Sequence, residues 1–364
     1  MNNIIRVFIF LFFINVFSQE IELNDTLDVF MLEEVKVSTI RAKSTDPVTH
    51  TNINKEDLKS RNLGQDIPIL LNYLPGVVTT SDAGAGIGYT GIRVRGSDAS
   101  RVNVTLNGIP FNDSESQGTF WVNLPDFASS VESIQLQRGV GTSTNGSGAF
   151  GASLNILTDA VQDDPFSSYS SSIGSFNTLR NTLKFSTGLL SDRFELSGRL
   201  SKISSDGYID RASSNLKSYF LQASYKKNNT LIKILNFGEN SSDGGLDLKS
   251  EKSWNKEIGV RGSISFIDYE LSGYHVSIED LVAAGRGTAF KNLGKVNTMG
   301  FEVRSSLGLS NINGLLPNVD ISYSFLDTEV IDGRIISNVA GSVGSEVDID
   351  GKELPYAPAH TLLV

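Results

Sequence analysis

From residue 164 onward, the chain consists mainly of long segments in which apolar and polar residues alternate. In the clearest segment the apolar face carries Trp254, Ile258, Val260, Ile264 and Phe266. The opposite face carries polar and charged residues such as Asn255 and Glu257. A period of two places successive side chains on opposite faces of a β-strand. Strands of about ten residues with one apolar and one polar face are typical of a transmembrane β-barrel.

A soluble β-sandwich is the alternative interpretation, because its strands alternate in the same way. Sandwich strands run to only about 5 or 6 residues, which is shorter than these segments. Aromatic residues also lie near the ends of the predicted strands, where the aromatic belts of a membrane barrel lie. They are Trp254, Phe266, Tyr269, Tyr323 and Phe325. Strand length and aromatic placement together favour the membrane barrel.

The first eighteen residues predict export. Arg6 precedes an apolar run of eleven residues, Val7 to Phe17, and the small residue Ser18 follows. This pattern is typical of a secretory signal peptide, whereas a membrane-spanning helix needs about 20 apolar residues. The chain contains no cysteine, so we expect neither disulfides nor a lipidated cysteine.

Composition and motifs argue against nucleic-acid binding and catalysis. The chain has 41 acidic and 31 basic residues and lacks a basic run, so a nucleic-acid partner is not expected. His50, His275 and His360 lie far apart in the sequence, and none has a second ligand at metal-binding spacing. We therefore predict no catalytic residue, no metal site and no cofactor, and that the protein is not an enzyme.

Residues 41–160 have the pattern of a small α+β domain. Asn54 followed by Asp57 predicts the start of a short helix that runs toward Arg61. A second helix is predicted from Asp66, with a stop at the dipeptide Pro75-Gly76. The dipeptide Asn107-Gly108 predicts a hairpin turn.

A glycine-rich stretch, IQLQRGVGTSTNGSGAFGASLNIL, spans residues 134–157. The segment from Gly146 to Gly151 has the bare spacing of a dinucleotide-binding loop, but the sequence after it has the pattern of a strand instead of a helix. A phosphate-binding P-loop would need a lysine, and the stretch has none. We interpret the glycines as a tight turn between two strands.

Five segments of the first 160 residues share one resemblance. They are LEEVKV at 32–37, QDIPILLNYLPGV at 65–77, GIRVRG at 91–96, VTLNGIPFND at 104–113 and the glycine-rich stretch. Together they resemble the TonB-dependent outer-membrane receptors, in which a plug domain fills a large barrel. The resemblance implies an α+β plug domain followed by a membrane-spanning antiparallel β-barrel, which has 22 strands in the family.

The resemblance also implies a mechanism. The family's TonB box corresponds to Leu32, Glu33, Glu34, Val35, Lys36, Val37 and Ser38. Such an alternating segment can add as a strand to the sheet of a partner protein, here TonB. The implied function is energised uptake of a scarce nutrient, an iron-siderophore or other iron chelate, at the cell outer membrane. The implied partners are TonB, outer-membrane lipid and a small-molecule ligand.

The resemblance assigns two further sets of residues. Plug arginines of the family pair with barrel glutamates, which implies plug–barrel contacts at Arg95, Arg138 and Glu257. The plug loops that face the ligand correspond here to Tyr89, Asp113, Glu115, Gln117, Phe120 and Trp121.

The number of strands departs from the family. A barrel of 22 strands needs about 200 to 240 residues before any loop is counted. Only about ten strand candidates follow residue 160. The predicted domains are a signal peptide at 1–18, a periplasmic arm with the TonB box at 19–40, a plug at 41–160 and a partial barrel at 161–364. We expect an internal deletion near residues 238–246 and a C-terminal truncation.

Two other classes of function stay open. The first is an outer-membrane β-barrel that serves binding or adhesion without active transport. The second is an outer-membrane enzyme, for which His275 would be the candidate base. A TonB box distinguishes the receptor from the adhesin, because an adhesin does not need one.

Overall fold

The structure is a computed structural model. It describes residues 41–42, 48–113, 116–139, 150–210, 212–244, 252–280, 282–284, 290–292, 294–309, 319–336, 346–353 and 359–363. The predicted signal peptide, the arm and the TonB box at 32–38 lie outside the described residues.

An N-terminal domain, residues 41–159, is built around a small sheet of five strands. In chain order its elements are β1 (His50–Asn54), α1 (Lys55–Arg61), α2 (Ile67–Leu70), β2 (Val77–Ser81), β3 (Thr90–Val94), β4 (Val102–Leu106), β5 (Ile109–Pro110), β6 (Val131–Arg138) and β7 (Ala152–Thr158). The order in the small sheet is β1-β6-β7-β4-β5, and only β4 and β7 pair in parallel. Strands β2 and β3 form a separate hairpin.

Local sequence signals explain the short elements of this domain. The Asn54 side chain accepts a hydrogen bond of 2.8 Å from the backbone N–H of Asp57 and caps α1, which confirms the predicted helix start. Helix α2 is shorter than predicted, because the chain continues beyond Leu70 as turns up to Leu74. Asn107 and Gly108 both have positive φ angles, 50° and 96°, as the predicted hairpin turn requires.

The core of the domain is formed by the two central strands of the small sheet. Ile134 and Leu136 of β6, with Leu154 and Ile156 of β7, are at most 1% exposed. Trp121 and Phe127 lie in two 3-10 turns, Trp121–Asn123 and Phe127–Ser130, and close the same core. A third 3-10 turn is Ala99–Arg101.

Most of the chain after this domain forms one large sheet. Its strands and an additional hairpin are β8 (Phe166–Gly174), β9 (Thr178–Ser186), β10 (Phe194–Ser205), β11 (Ser213–Lys227), β12 (Thr230–Gly244), β13 (Lys252–Ile264), β14 (Ile267–Glu279), β15 (Val282–Ala284), β16 (Phe290–Asn292), β17 (Gly294–Leu307), β18 (Val319–Ile336), β19 (Glu346–Asp348) and β20 (His360–Leu363). Eleven of these strands belong to the large sheet, and β15 and β16 pair only with each other. All pairs are antiparallel, and β8 to β14 lie in chain order.

The two faces of the large sheet have the opposite polarity to those of a soluble sheet. On the outer face, Leu183, Leu200 and Ile234 are 40%, 53% and 50% exposed. On the inner face, Arg199 and Gln222 are at most 1% exposed. Most strands run to nine residues or more, up to 18 in β18. The β-sandwich alternative is therefore wrong, because a sandwich buries its apolar face.

The large sheet is not closed into a barrel. Strand β8 pairs with β9 alone, and among the described residues no strand connects β8 to β18, β19 or β20. No helix in the described part of the chain is long and apolar enough to cross a membrane. The fold is thus an α+β domain followed by an antiparallel partial barrel, as predicted, with eleven strands where about ten were expected.

Strands β12 and β13 are direct neighbours at the place where an internal deletion is predicted. Their pairing runs without a shift from Thr230 with Gly262 to Asn240 with Lys252. Residues 245–251, which connect them, lie outside the described residues. The deletion stays a prediction.

Replacing Leu154 with alanine should lower the free energy of unfolding by about 2–5 kcal/mol, because it leaves a cavity between the central strands of the small sheet. The measurement is chemical unfolding in detergent micelles, followed by the fluorescence of the buried Trp121 in a W254F background. The control is Leu63→Ala, because Leu63 is 64% exposed and its loss should change stability by no more than about 0.5 kcal/mol. Equal stability of the two variants would contradict the assigned core.

Candidate functional site

A carboxylate of the N-terminal domain, Asp126, is buried against the inner face of the large sheet. Its backbone is left-handed, with a φ of 53° and a ψ of 21°, and the residue is 1% exposed. Arg180 Nε donates to Oδ1 at 3.0 Å, and Arg199 Nη1 lies 3.6 Å from Oδ2. Thr182 and Ser201 donate to Oδ2 at 2.6 and 2.7 Å. Four side chains from β9 and β10 therefore bind one carboxylate.

The backbone beside Asp126 is bound by side chains of β10 and β11. Arg199 Nη1 donates to the carbonyl oxygens of Pro125, at 3.1 Å, and of Asp126. Ser218 of β11 donates to the same Pro125 oxygen at 2.8 Å. Three adjacent strands thus hold this turn by side-chain donors, and we call the contacts of Pro125 and Asp126 with the large sheet the Asp126 cluster.

The ionised form of Asp126 is stabilised by its partners. Burial is the largest single influence on the pKa of Asp126, and it acts to raise that pKa. The charges of Arg199 and Arg180, with hydrogen bonds that include those from Ser129 and Thr182, outweigh burial and hold the pKa below its ordinary value of 3.8. Asp126 is therefore a buried anion balanced by two buried cations.

A second buried carboxylate, Asp159, lies just after β7, where the chain leaves the N-terminal domain. Lys184 of β9 and Lys55 of α1 both approach its side-chain oxygens to 2.9 Å. Lys233 and Gln222 donate to its backbone oxygen at 3.0 and 3.1 Å. Burial opposes ionisation most strongly, but the two lysines outweigh it and lower the pKa of Asp159.

Aromatic rings continue the domain core into the large sheet. The ring of Phe127 lies 5.8 Å from that of Phe220 and 5.3 Å from that of Phe237, measured between centroids. Phe220 and Phe237 belong to the inner faces of β11 and β12 and are at most 3% exposed. The N-terminal domain and the large sheet therefore share one apolar cluster.

The residues predicted to join plug and barrel lie apart from the Asp126 cluster. Arg95 Nη1 donates to the carbonyl oxygen of Arg138 at 3.2 Å, so the two arginines are neighbours within the N-terminal domain. Glu257 lies on the inner face of β13 and lines a small gap together with Asn107. The structure does not bring all three residues together, and an ion pair among them stays a prediction.

A cavity of about 270 Å³ opens between the loop after β5 and the inner faces of β12, β13 and β14. Aromatic side chains form much of its wall, namely Phe111, Phe120, Phe237 and Tyr274. Its polar groups include Asn112, Asp113, Gln117 and Asn255. An apolar wall with a few polar groups is typical of a small-molecule site.

The structure places only some of the predicted ligand-facing residues in the wall of the cavity. Asp113, Gln117 and Phe120 line the cavity. Tyr89 packs, as Phe120 also does, against a neighbouring apolar cluster that includes Ile203 and Leu216 of the large sheet. Glu115 lies outside the described residues.

The structure corrects the prediction for Trp121, which is 2% exposed and packs in the domain core. It lies in a 3-10 turn and belongs to the same buried cluster as Phe127 and the small sheet, whereas the residues that line the cavity do not include it. A tryptophan in a polar loop suggests ligand contact in a sequence, but the core offers a larger apolar area to bury.

Part of the polar wall of the cavity maintains the loop itself. Asp113 Oδ1 accepts hydrogen bonds of 2.7 and 2.8 Å from the backbone and hydroxyl of Ser116. Asn112 binds the backbone of Val102 and Val104 in β4. The loop is therefore held in place by its own side chains, which orders this wall of the cavity without a ligand.

Sequence reasoning missed Asp126, Asp159 and the cavity residues of the large sheet other than Glu257, which also lines the cavity. The strand parity did place Arg180, Thr182 and Lys184 on one polar face, which is the inner face. The acids that pair with them carry no motif, because the partners are distant in sequence: Asp126 and Arg180 are 54 positions apart, and Asp159 and Lys184 are 25 apart. In the described part of the chain, no three His, Asp or Glu side chains converge as metal ligands.

Comparison with known proteins identifies this architecture. Residues 42–153 match the family model of the TonB-dependent receptor plug domain. The class of this N-terminal domain is thereby defined: residues 42–153 form a TonB-dependent receptor plug domain, and the large sheet after it has the fold of part of the barrel in the solved receptor structures. We use "plug" for residues 41–159 from here on.

Two curated relatives are similar to parts of the chain. One is the vitamin B12 transporter BtuB of Vibrio vulnificus, 28% identical over 194 residues, which are 52% of this chain and 30% of the relative. The other is the probable TonB-dependent siderophore receptor PirA of Acinetobacter baumannii, 29% identical over 146 residues, which are 36% of this chain and 19% of the relative.

Solved structures share the fold. The siderophore receptor PirA from Acinetobacter baumannii aligns with a TM-score of 0.61 at 17% identity, covering 81% of this chain and 49% of that one. The ferric citrate transporter FecA aligns with a TM-score of 0.61 at 15% identity, covering 82% of this chain and 50% of that one. The chain therefore spans about half the length of these proteins.

The class agrees with two predictions from the sequence, the location in the cell outer membrane and the absence of an enzymatic function. The matched proteins are receptors and transporters and not enzymes. The predicted location in the cell outer membrane is confirmed by the class to which the plug and the partial barrel belong.

Replacing Asp126 with asparagine should destabilise the protein by about 3–5 kcal/mol, because Arg180 and Arg199 would stay buried without a balancing anion. Unfolding in detergent micelles, followed by Trp121 fluorescence, measures the change. Asp98→Asn is the matched control, because Asp98 is an exposed acid of the same domain and asparagine can also cap the turn that follows it. An Asp126→Asn variant as stable as this control would contradict the role given to the Asp126 cluster.

The contribution of Asp126 should depend on pH. Its pKa in the folded state lies below the ordinary 3.8, so the ionised carboxylate stabilises the fold above that pH and ceases to do so as the pH falls through the folded-state pKa. The difference in melting temperature between the wild type and Asp126→Asn should therefore be largest near neutral pH and shrink in acid. A difference that stays constant from neutral to strongly acidic pH would contradict this assignment.

Proposed function

We propose that the complete receptor carries out energised uptake of a scarce nutrient across the outer membrane, with TonB as its periplasmic partner. The observation that carries the proposal is a plug packed against barrel strands, with a cavity between its ordered loop and the inner face of β12 to β14. The cavity offers a place for a small molecule beside the plug, which would have to move for the molecule to pass.

The start of the plug is connected to its central strands. The Gln135 side chain accepts a hydrogen bond from the N–H of Ala42 at 2.7 Å and donates to the carbonyl oxygen of Ala42 at 3.0 Å. Arg41 donates to the carbonyl oxygens of Ser133 and Asn155 at 3.0 and 2.8 Å. A pull on the preceding arm would therefore load β6 and β7 first.

The Asp126 cluster and the contacts of Asp159 resist such a pull. Both hold the plug to the inner face of the large sheet through charged hydrogen bonds, which are stronger than neutral ones. Displacement of the plug requires these contacts to break or to exchange for water, so passive opening is opposed. This is consistent with a transporter that needs an energy source.

The proposed ligand is an iron-siderophore or other iron chelate. Among the relatives, PirA is named a siderophore receptor and FecA a ferric citrate transporter, whereas BtuB is named a vitamin B12 transporter. Two of the three names therefore refer to an iron ligand, and the third refers to vitamin B12. The aromatic and amide groups of the cavity wall suit the organic shell of such a compound.

Deleting residues 32–38 from a version of the receptor with a complete barrel should abolish uptake of a radiolabelled iron chelate while binding at the cell surface persists, because the deletion removes only the predicted strand for TonB. A scrambled segment of the same length is the matched control and should also fail. Uptake that is unchanged by the deletion would reject active transport and leave the binding or adhesion protein.

A further inference from the structure

The outer face of the β10–β11 pair is an ordered ladder of side chains. We call the end of the sheet with the two-residue turn between β11 and β12 the turn end. Starting from the turn end, the directly opposed pairs on this face are Phe194 with Tyr225, Leu196 with Ala223, Gly198 with Leu221, Leu200 with Tyr219, Lys202 with Lys217, and Ser204 with Asn215. Four rungs are thus apolar or aromatic, and the fifth places two lysines opposite each other. The band that contacts the hydrocarbon of the membrane ends below this fifth rung.

The two lysines belong at the level of the lipid headgroups. Lys217 lies eight residues from Tyr225 along β11, or about 26 Å at about 3.3 Å per residue. A strand tilted by about 40° spans about 20 Å of membrane depth over this length, and the apolar band of a barrel is about 25 Å tall. Tyr219, one rung below Lys217, lies where an aromatic belt meets the headgroups.

The direction of the strands places these lysines in the outer leaflet. At the opposite end of the sheet, β11 connects to β12 through two residues, Asn228 and Asn229, and β13 connects to β14 through Ser265 and Phe266. The connections that follow β9 and β17 at that end are longer, residues 187–193 and 308–318. At the lysine end, the connection after β8 has three residues, 175–177, whereas those after β10, β12 and β14 span residues 206–212, 245–251 and 280–293. The two shortest turns therefore lie at the end opposite the lysines. Short turns face the periplasm in barrels of this kind, and long loops face outward.

Nothing in the described residues compensates the lysine pair. Both side chains are exposed, and neither takes part in an ion pair with a described residue. Like charges directly opposed on a sheet repel each other. A ligand with negative charge at this height would remove the repulsion.

The neighbours across the strands add uncharged donors. Asn181 of β9 is opposite Lys202, and Asn240 of β12 is opposite Lys217. The Asn181 Oδ1 accepts hydrogen bonds from Tyr169 at 2.6 Å and Ser171 at 3.0 Å. Its amide nitrogen is therefore left to donate. The row from Asn181 to Asn240 consists of donors that suit an anion.

We propose that Lys202 and Lys217, flanked by Asn181 and Asn240, bind a phosphate group of the phosphorylated glycolipid in the outer leaflet of the membrane. One phosphate accepts charge-assisted hydrogen bonds from both ammonium groups. The next rung, Ser204 opposite Asn215, is polar and lies where the sugar of such a lipid would continue. The site is on the lipid side of the barrel, and its ligand is therefore distinct from the transported nutrient.

The test uses the full chain in detergent micelles, titrated with diphosphorylated lipid A and followed by native mass spectrometry. Lys202→Gln/Lys217→Gln should weaken binding at least tenfold, because both ammonium donors are lost. Lys202→Arg/Lys217→Arg should keep binding within about threefold, because charge and donors persist. Lys227→Gln is the matched control, because Lys227 is an exposed lysine of β11 at the turn end, and it should bind as the wild type does.

Two further probes separate the sources of the phosphate. Dephosphorylated lipid A should bind the wild type as weakly as the double glutamine variant binds the phosphorylated form. Phosphatidylglycerol should bind at least tenfold more weakly than diphosphorylated lipid A. Unchanged binding in the double glutamine variant, or equal affinity for the dephosphorylated lipid, would overturn the site, and equal affinity for phosphatidylglycerol would overturn its assignment to the glycolipid.

Discussion

The ion pairs of Asp126 with Arg180 and Arg199 are the interaction on which the arrangement of plug and barrel depends. A buried arginine is unfavourable unless an anion balances it, and here one carboxylate serves two arginines from adjacent strands. Because the carboxylate belongs to the plug, the strands β9 and β10 can bury their polar face only when the plug is in place. The large sheet and the plug are therefore coupled in stability as well as in contact.

This coupling follows from the reversed polarity of a membrane sheet. Its outer face must be apolar where it meets lipid, so the polar residues of each strand are directed inward. An inner face of Arg180, Lys184 and Lys233 needs polar partners or water, and the plug supplies Asp126, Asp159 and backbone carbonyl oxygens. Apolar contact through Phe127 adds buried area between the plug and the sheet, but it does not determine how the plug is aligned with the strands. The charged contacts do, because each requires one particular alignment of plug and strand.

The same division of faces separates the proposed roles of the molecule. The inner face and the plug loop enclose the cavity proposed for the nutrient, whereas the outer face presents lysines proposed for the lipid. The arm would act on the plug through Arg41 and Ala42, at the end of the domain that is tied to β6 and β7. The two proposed ligands thus meet opposite sides of one sheet, whereas the arm acts on the plug that forms one wall of the cavity.

The sequence by itself determined the local structure and the class. Alternation from Trp254 to Phe266 fixed which side chains share a face, Asn54 fixed a helix start, and Asn107-Gly108 fixed a hairpin, because each depends on neighbours within a few residues. Only the tertiary structure decided the partner of Arg180, the burial of Trp121 and the wall of the cavity. Asp126 and Arg180 are 54 positions apart, and such a pair leaves no periodic trace in the sequence. The physical reason is that burial and pairing are properties of the packed plug and sheet, whereas periodicity reports only the direction in which each side chain leaves its own strand.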